Sequence, residues 1–320
     1  MARSADSAVA QLEEIEGGGG DGDLRLGTKR LHVSSLDKVY FPKDGITKGD
    51  LMRYYAGVAP ILLPLIKDRP LVLKRYPDGI GGPSFFQQNA GPKTPPVVQT
   101  ATVTAAGGER AVRIVGGDLA TLLYTVQIGT IAVHPWQSRT RTHQYADTTT
   151  IDLDPGDDVA FFEVVALARE IKLVLDKMGL VAAIKTSGSS GMHIVLPLPP
   201  KTAYSQAARL AERIAERVVE ADPERATTQR TIKKRPKGSI YVDAMQNAEG
   251  KSVVAAYSVR EREGATVSAP LEWRELRGSL RIDAFTIATM PKRLRKVGDI
   301  WGSAMARRNS RRAISVALGE

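Results

Sequence analysis

The sequence has no cysteine. Disulfide scaffolds, thiolate-ligated zinc and cysteine nucleophiles are therefore excluded, and secretion gains no support. No apolar run approaches the roughly 18 residues that a membrane-spanning helix needs, and the N-terminus lacks the apolar core of a signal peptide. There is no internal repeat, and no shift of composition marks a second domain between residues 26 and 300. These absences lead to the expectation of a soluble cytoplasmic protein without a membrane partner. What is present is a 42% hydrophobic chain of 320 residues, ample for a buried core. Lysine and arginine number 45 against 35 aspartates and glutamates, which gives a net charge of +10. That balance favours an anionic partner, nucleic acid before membrane, and with it a nucleoid-associated location.

The most informative stretch is 148–154, TTTIDLD. It is rich in β-branched residues and bounded by Pro155-Gly156, the pattern of a strand that stops abruptly. Residues two apart on a strand share a face, so Asp152 and Asp154 project together. Neighbouring carboxylates repel, and a hard divalent cation relieves that repulsion. Two solvated strand carboxylates are the plain alternative. A calcium loop also fits the spacing of Asp152, Asp154 and Glu163, but Gly156 falls one place early and a strand precedes it instead of a helix. Phosphatases and glycosyltransferases with paired aspartates need further partners downstream.

Along the rest of the chain, residues 1–25 read as a flexible leader with a glycine run at 17–20. Residues 26–302 read as a single catalytic domain, and 303–320 as a basic tail or terminal helix. Thr47 and Asp50 form a capping box that opens a helix to about Val58, after which Pro60 and Pro64 interrupt the pattern. Strands are expected at 71–76 and 131–136, a hairpin at 101–115, and helices at 118–128, 159–178 and 202–219. Phe85 and Phe86 lie in a Gly/Pro-rich loop, a poor place to bury both rings, and exposed aromatics beside basic residues serve as stacking platforms for bases. Residues 239–246 and 253–260 read as a hairpin. Basic residues cluster at 225–237 and again at 291–312.

Three features extend the aspartate pair into a constellation. Asp243 ends an alternating apolar run and can supply a third carboxylate. Two strands, 181–187 and 191–198, are joined by the short turn Gly188-Ser189-Ser190-Gly191, which brings Ser187, backbone N–H groups and His193 to one strand end, a phosphate cradle. Lys74, Arg75 and Arg260 sit at other strand ends. Carboxylates on one side and phosphate donors on the other are the equipment of phosphoryl or nucleotidyl transfer.

In this order the segments LKRYPDG, PSFFQ, VHPW, IDLDPG, TSGSSGMHIVLP, YVDAMQN and AYSVR closely resemble the polymerase domain of bacterial end-joining ligase D, in the archaeo-eukaryotic primase superfamily, over about residues 29 to 302. The resemblance implies an α/β (α+β) fold, an RRM-like antiparallel catalytic sheet with a second β-rich lobe. It implies that Asp152, Asp154 and Asp243 are catalytic and ligate two divalent ions, Mn²⁺ or Mg²⁺. Ser187, Ser189, Ser190, His193, Arg260 and Lys74 are then near the triphosphate of an NTP or dNTP. His134 contacts its sugar, with ribonucleotides favoured, and Gln246 lines the same pocket. Phe85 and Phe86 stack on DNA, Lys38 and Lys48 bind a downstream 5′-phosphate, and Arg235 is a further DNA contact.

The implied activity is template-directed gap filling and end extension in break repair, on DNA with a gap or 3′ overhang, alongside a ligase and Ku. A non-catalytic DNA-end-binding module on the same fold is the alternative. One departure stands out. Where the family often carries Lys in the SG-x-K-G turn this chain has Ser190, losing a charge-assisted phosphate contact. SGSSG, the leader and the absence of a ligase or nuclease segment point to a standalone or ligase-C-associated primase-polymerase.

Overall fold

Tyr145–Pro155 is the strand on which the molecule is built. A computed structural model describes residues 2–104, 108 and 110–320, and in it this strand lies inside a six-stranded sheet. The order across the sheet is Ala226–Thr227, Ile240–Asp243, Tyr145–Pro155, Met192–Ala203, Ala183–Thr186, Pro270–Leu271. Every junction is antiparallel except the first, which is parallel. The six-stranded sheet is therefore mixed at one edge, where the expectation was purely antiparallel. The intervening 228–239 loop is long enough to return the chain in the same direction.

Alternation along the central strand divides its residues between two faces. Ile151 and Leu153 are fully buried, and Thr149 Oγ1 donates to the Ala207 carbonyl at 2.8 Å. That face is covered by helices Phe161–Lys177 and Tyr204–Ala221, which bury Val164, Leu167, Ile171 and Leu175 from one and Leu210, Ile214 and Val218 from the other. Thr150, Asp152 and Asp154 are left on the opposite face.

The second lobe is a three-stranded sheet with Leu71–Arg75 between Phe85–Gln87 and Thr130–Pro135. Helix Lys48–Ile66 backs it. Its Tyr55 hydroxyl donates to Ile131 O at 2.6 Å and accepts from Val259 N–H at 3.0 Å. One continuous cluster of buried side chains runs through both lobes.

Several expectations are corrected. Residues 2–17 are not a flexible leader but a helix, Ala2–Gly17, that packs on Lys48–Ile66 and buries Ala5, Ala8 and Leu12. The glycine run that reads as a linker is its terminator. Gly19 and Gly20 take φ of 110° and 83°, and Gly20 N–H donates to Ile15 O at 2.9 Å, as left-handed helix ends require. Strand Gly22–Leu26 follows directly. Leu12→Ala is expected to cost about 2–5 kcal/mol, read from urea unfolding. A cost under about 0.5 kcal/mol would remove this helix from the cooperative fold.

The helix opened by the Thr47–Asp50 capping box runs to Ile66, through Pro60 and Pro64. Its buried face continues through Leu62 and Ile66, and that burial outweighs the two lost backbone bonds. The expected 239–246/253–260 hairpin does not form. Asn247 accepts from Thr150 N–H at 2.7 Å and donates to Thr150 O at 2.8 Å, so its amide pairs with the central strand as a backbone would. The chain then leaves this sheet, and Ala255 N–H donates to Val133 O of the other lobe at 2.9 Å. Strands Thr100–Thr104 and Arg110–Ile114 do pair, and the tip of that hairpin lies outside the described residues.

The basic C-terminal segment forms helices Met290–Val297, Ile300–Met305 and Arg311–Leu318, and Trp301 and Ile314 reach the core. Among the described residues no helix is long and apolar enough to cross a membrane.

Candidate active site

Sheet register assembles the site. Asp152 is the direct partner of Asp243 on one side and of His193 on the other, and His193 is in turn the partner of Lys185. Directly opposed residues share a face, so Asp243, Asp152, His193 and Lys185 form one transverse row on the face turned away from the helices. His193 Nε2 lies 3.3 Å from Asp152 Oδ1. Asp243 accepts from the Met245 N–H at 2.7 Å and from Gln246 Nε2 at 3.0 Å, which puts Gln246 beside the carboxylates. Asp154, one step along the strand, pairs with Arg235 at 3.0 Å. The Arg235 guanidinium also lies 4.2 Å from the centre of the Tyr241 ring. Arg235 thus sits against Asp154.

The donor set fits hard cations in its chemistry, since two carboxylates face each other in register and a third is adjacent. Among the described residues, however, no three acidic or imidazole groups close into a ready cage. Asp154 is engaged by Arg235, and this guanidinium holds the charge a cation would otherwise balance.

Electrostatics follow from burial and neighbours. Burial would raise the Asp152 pKa, but the contact with His193, with Lys185 and Arg260 nearby, holds it below the usual carboxylate range. Burial, then Lys185, push the His193 imidazole down, and only Asp152 opposes them. Burial and Arg260 take His134 down to about 3. Its Nε2 is buried without a hydrogen-bond partner. Between pH of about 3 and the free imidazole value the unfolded chain binds a proton that folded His134 refuses, so stability falls as pH falls through that window. His134→Gln is expected to flatten the acid limb of the melting temperature against pH. An unchanged limb would place the titration elsewhere.

The Ser/Gly turn lies at the end of the same sheet. Ser187 Oγ accepts from Ser189 N–H and Gly191 N–H, both at 3.1 Å, and Arg260 Nη1 donates to Ser187 O at 2.7 Å. Ser189 is partly exposed and Ser190 exposed. Lys74 pairs with Glu261 at 3.1 Å. Glu261 falls to about 2 because Arg260 and then Lys74 overcome its burial. Phe85 and Phe86 are 48% and 66% exposed, so neither ring belongs to the core. Arg75 lies over Phe85 at 5.1 Å and Lys74 over Phe86 at 5.9 Å, joining the aromatic pair to the basic edge.

Lys38 and Lys48 are brought together on a separate element. Lys48 N–H donates to Lys38 O at 2.8 Å, and burial followed by the Lys38 charge lowers the Lys48 pKa. Asp78 pairs with Lys38 at 2.7 Å. If these two lysines hold a downstream 5′-phosphate, with Lys38 released from Asp78, their joint change to alanine is expected to erase any preference for 5′-phosphorylated over unphosphorylated gaps. The ratio of the two affinities checks this. An unchanged ratio would take the anion site away from this pair.

Two participants escape sequence reading. Lys185 lies in an ordinary apolar strand, and Glu261 is one charge among several in VREREG. Only register and folding bring them to the row and to Lys74. The adjacency of Lys185 to Ser187 was the sole available signal.

A mixed sheet with an acidic row on one face and a Ser/Gly turn at its end defines an α/β protein of the primase-polymerase class. The chain belongs to the family described as LigD, primase-polymerase domain, whose model matches residues 47–301. It is 37% identical over 271 residues to a bifunctional non-homologous end joining protein LigD of Bacillus subtilis, covering 84% of this chain and 43% of that protein. It is 31% identical over 300 residues to a multifunctional LigD of Pseudomonas aeruginosa, covering 93% of this chain and 35% of the relative. The chain therefore spans less than half the length of these relatives. A solved polymerase domain from Mycobacterium tuberculosis Ligase D, in complex with DNA, superposes with a TM-score of 0.80 at 32% identity, covering 88% of this chain and 99% of that one.

Proposed function

We propose that this protein is a template-directed nucleotidyltransferase that fills short gaps and extends ends during DNA break repair by end joining. One observation carries the reading: the register that sets Asp243, Asp152 and His193 side by side at the mouth of the Ser/Gly turn. Acidic groups and phosphate donors thereby face one another across a single strand end. Asp152, Asp154 and Asp243 would hold two divalent ions, Mn²⁺ or Mg²⁺, with Asp154 released from Arg235. Bound ions would lower the pKa of a primer 3′-OH and neutralise triphosphate charge.

The chain's own groups do the rest. The Ser187 turn, His193, Arg260 and Lys74 bind and orient the triphosphate so that its α-phosphate meets the 3′-OH and pyrophosphate leaves. His134, with its unpaired Nε2, takes a sugar hydroxyl, and Gln246 lines the pocket beside Asp243. Phe85 and Phe86 stack on exposed bases, and Lys38 and Lys48 hold the 5′-phosphate across the gap. DNA, an NTP or dNTP, a ligase and Ku are the implied partners. The test is addition of nucleotide to a gapped, 5′-phosphorylated primer-template with Mn²⁺. Extension of the primer by the gap length is expected. Binding of the DNA with no extension would replace the enzyme with an end-binding module.

A further inference from the structure

Lys185 is 2% exposed, and so costly a burial demands that its amine be hydrogen-bonded. Its Nζ lies 2.6 Å from His193 Nδ1 and 2.8 Å from Ser268 Oγ. The Ser268 hydroxyl donates its single proton to Thr186 O at 2.7 Å, so its oxygen is left to accept from Lys185. On the far side of the imidazole, Nε2 faces Asp152 Oδ1 at 3.3 Å. An ionised carboxylate only accepts, so the ring proton belongs on Nε2 and Nδ1 carries the lone pair. Lys185 is the donor at that lone pair.

We propose that Lys185 is a positioning residue that locks His193 in its Nε2–H tautomer, so that the imidazole offers the site a donor and never a lone pair. Phosphate oxygens, like the Asp152 carboxylate, only accept. The same tautomer therefore serves both, and the opposite one would aim a lone pair at either. The logic is that of a ligand histidine whose second nitrogen is fixed by a partner behind it. Ser268 and the strand pairing of Lys185 with His193 hold the amine in place.

Nitrogen-15 NMR of the imidazole rings tests this directly, because the chain has only four histidines and a His193→Gln spectrum assigns the one in question. Wild-type His193 is expected to show a protonated Nε2 and an unprotonated Nδ1 near neutral pH. A proton on Nδ1 overturns the proposal, and this measurement needs no variant to fold. Lys185→Met, which keeps the volume and loses the donor, is expected to give mixed tautomers. It is also expected to raise the KM for NTP about tenfold or more while changing kcat less. Lys185→Gln, which can still donate, is expected to recover both. A folded Lys185→Met protein that keeps a pure Nε2–H ring also overturns the proposal. The kinetic arm rests on the nucleotidyl-transfer reading and the NMR arm does not. Wild-type protein without activity would therefore sink the function alone, and the tautomer would still be decided by the spectrum.

Discussion

Replacing Asp152 by alanine is expected to lower nucleotide addition by about a thousandfold or more while leaving DNA affinity within about twofold of wild type. Asp152 stands at the centre of the row, with Asp243 on one flank and His193 on the other. Asp154, the neighbouring carboxylate on the same strand face, is already engaged by Arg235. Losing a carboxylate that positions cations removes several kcal/mol of charge stabilisation, and each 1.4 kcal/mol or so is tenfold in rate. On the proposed function, DNA binding would rest instead on cationic and aromatic groups distant from this carboxylate along the chain, and removing a negative charge does not weaken attraction for phosphate. Asp152→Asn keeps the shape and should lose as much activity. Primer extension and a DNA-binding titration on the same preparations check both halves. A variant that still extends primers at more than about a tenth of the wild-type rate would take Asp152 out of the chemistry.

Gly191→Ala is expected to destabilise the protein by about 3 kcal/mol or more, enough to lower the melting temperature by roughly 5 °C. A Cβ at this position would lie 1.8 Å from the carbonyl oxygen of Leu153. That oxygen cannot yield, because Leu153 is paired with Met192 on one side and Val242 on the other at the centre of the sheet. Something must shift, and the shift falls on the turn. Gly191 N–H donates to Ser187 Oγ, and Ser187 N–H donates back to Gly191 O at 2.9 Å. The variant should therefore lose triphosphate affinity even where it folds. Differential scanning fluorimetry measures the first effect, and a melting temperature within about 2 °C of wild type would show that the close approach is relaxed at little cost.

Much of this site is legible before any coordinates. Asp152 and Asp154 share a face because strand side chains alternate, and the terminating Pro155-Gly156 marks where the strand ends. Thr47 and Asp50 cap their helix as their spacing says, with Asp50 N–H donating to Thr47 Oγ1 at 3.1 Å. Phe85 and Phe86 are exposed, as two rings in a Gly/Pro-rich loop suggest. The glycine run is the instructive failure. Read for composition it is a linker, yet its positive φ values end a helix whose apolar stripe of Ala5, Ala8 and Leu12 was there to be seen at helical spacing.

Short-range regularities of the chain, with a period of two residues and a Gly/Ser turn signal, were enough to place the acidic strand and the Ser/Gly turn, and the order of the motifs carried the resemblance to the family. The row itself could not be read that way. Asp243 meets Asp152 across 91 positions, Arg235 reaches Asp154, and Lys185 lies behind His193, all through pairings between remote segments. Such pairings are selected by burial and by hydrogen bonds such as those of Asn247 to Thr150, neither of which leaves a local signature in the order of residues.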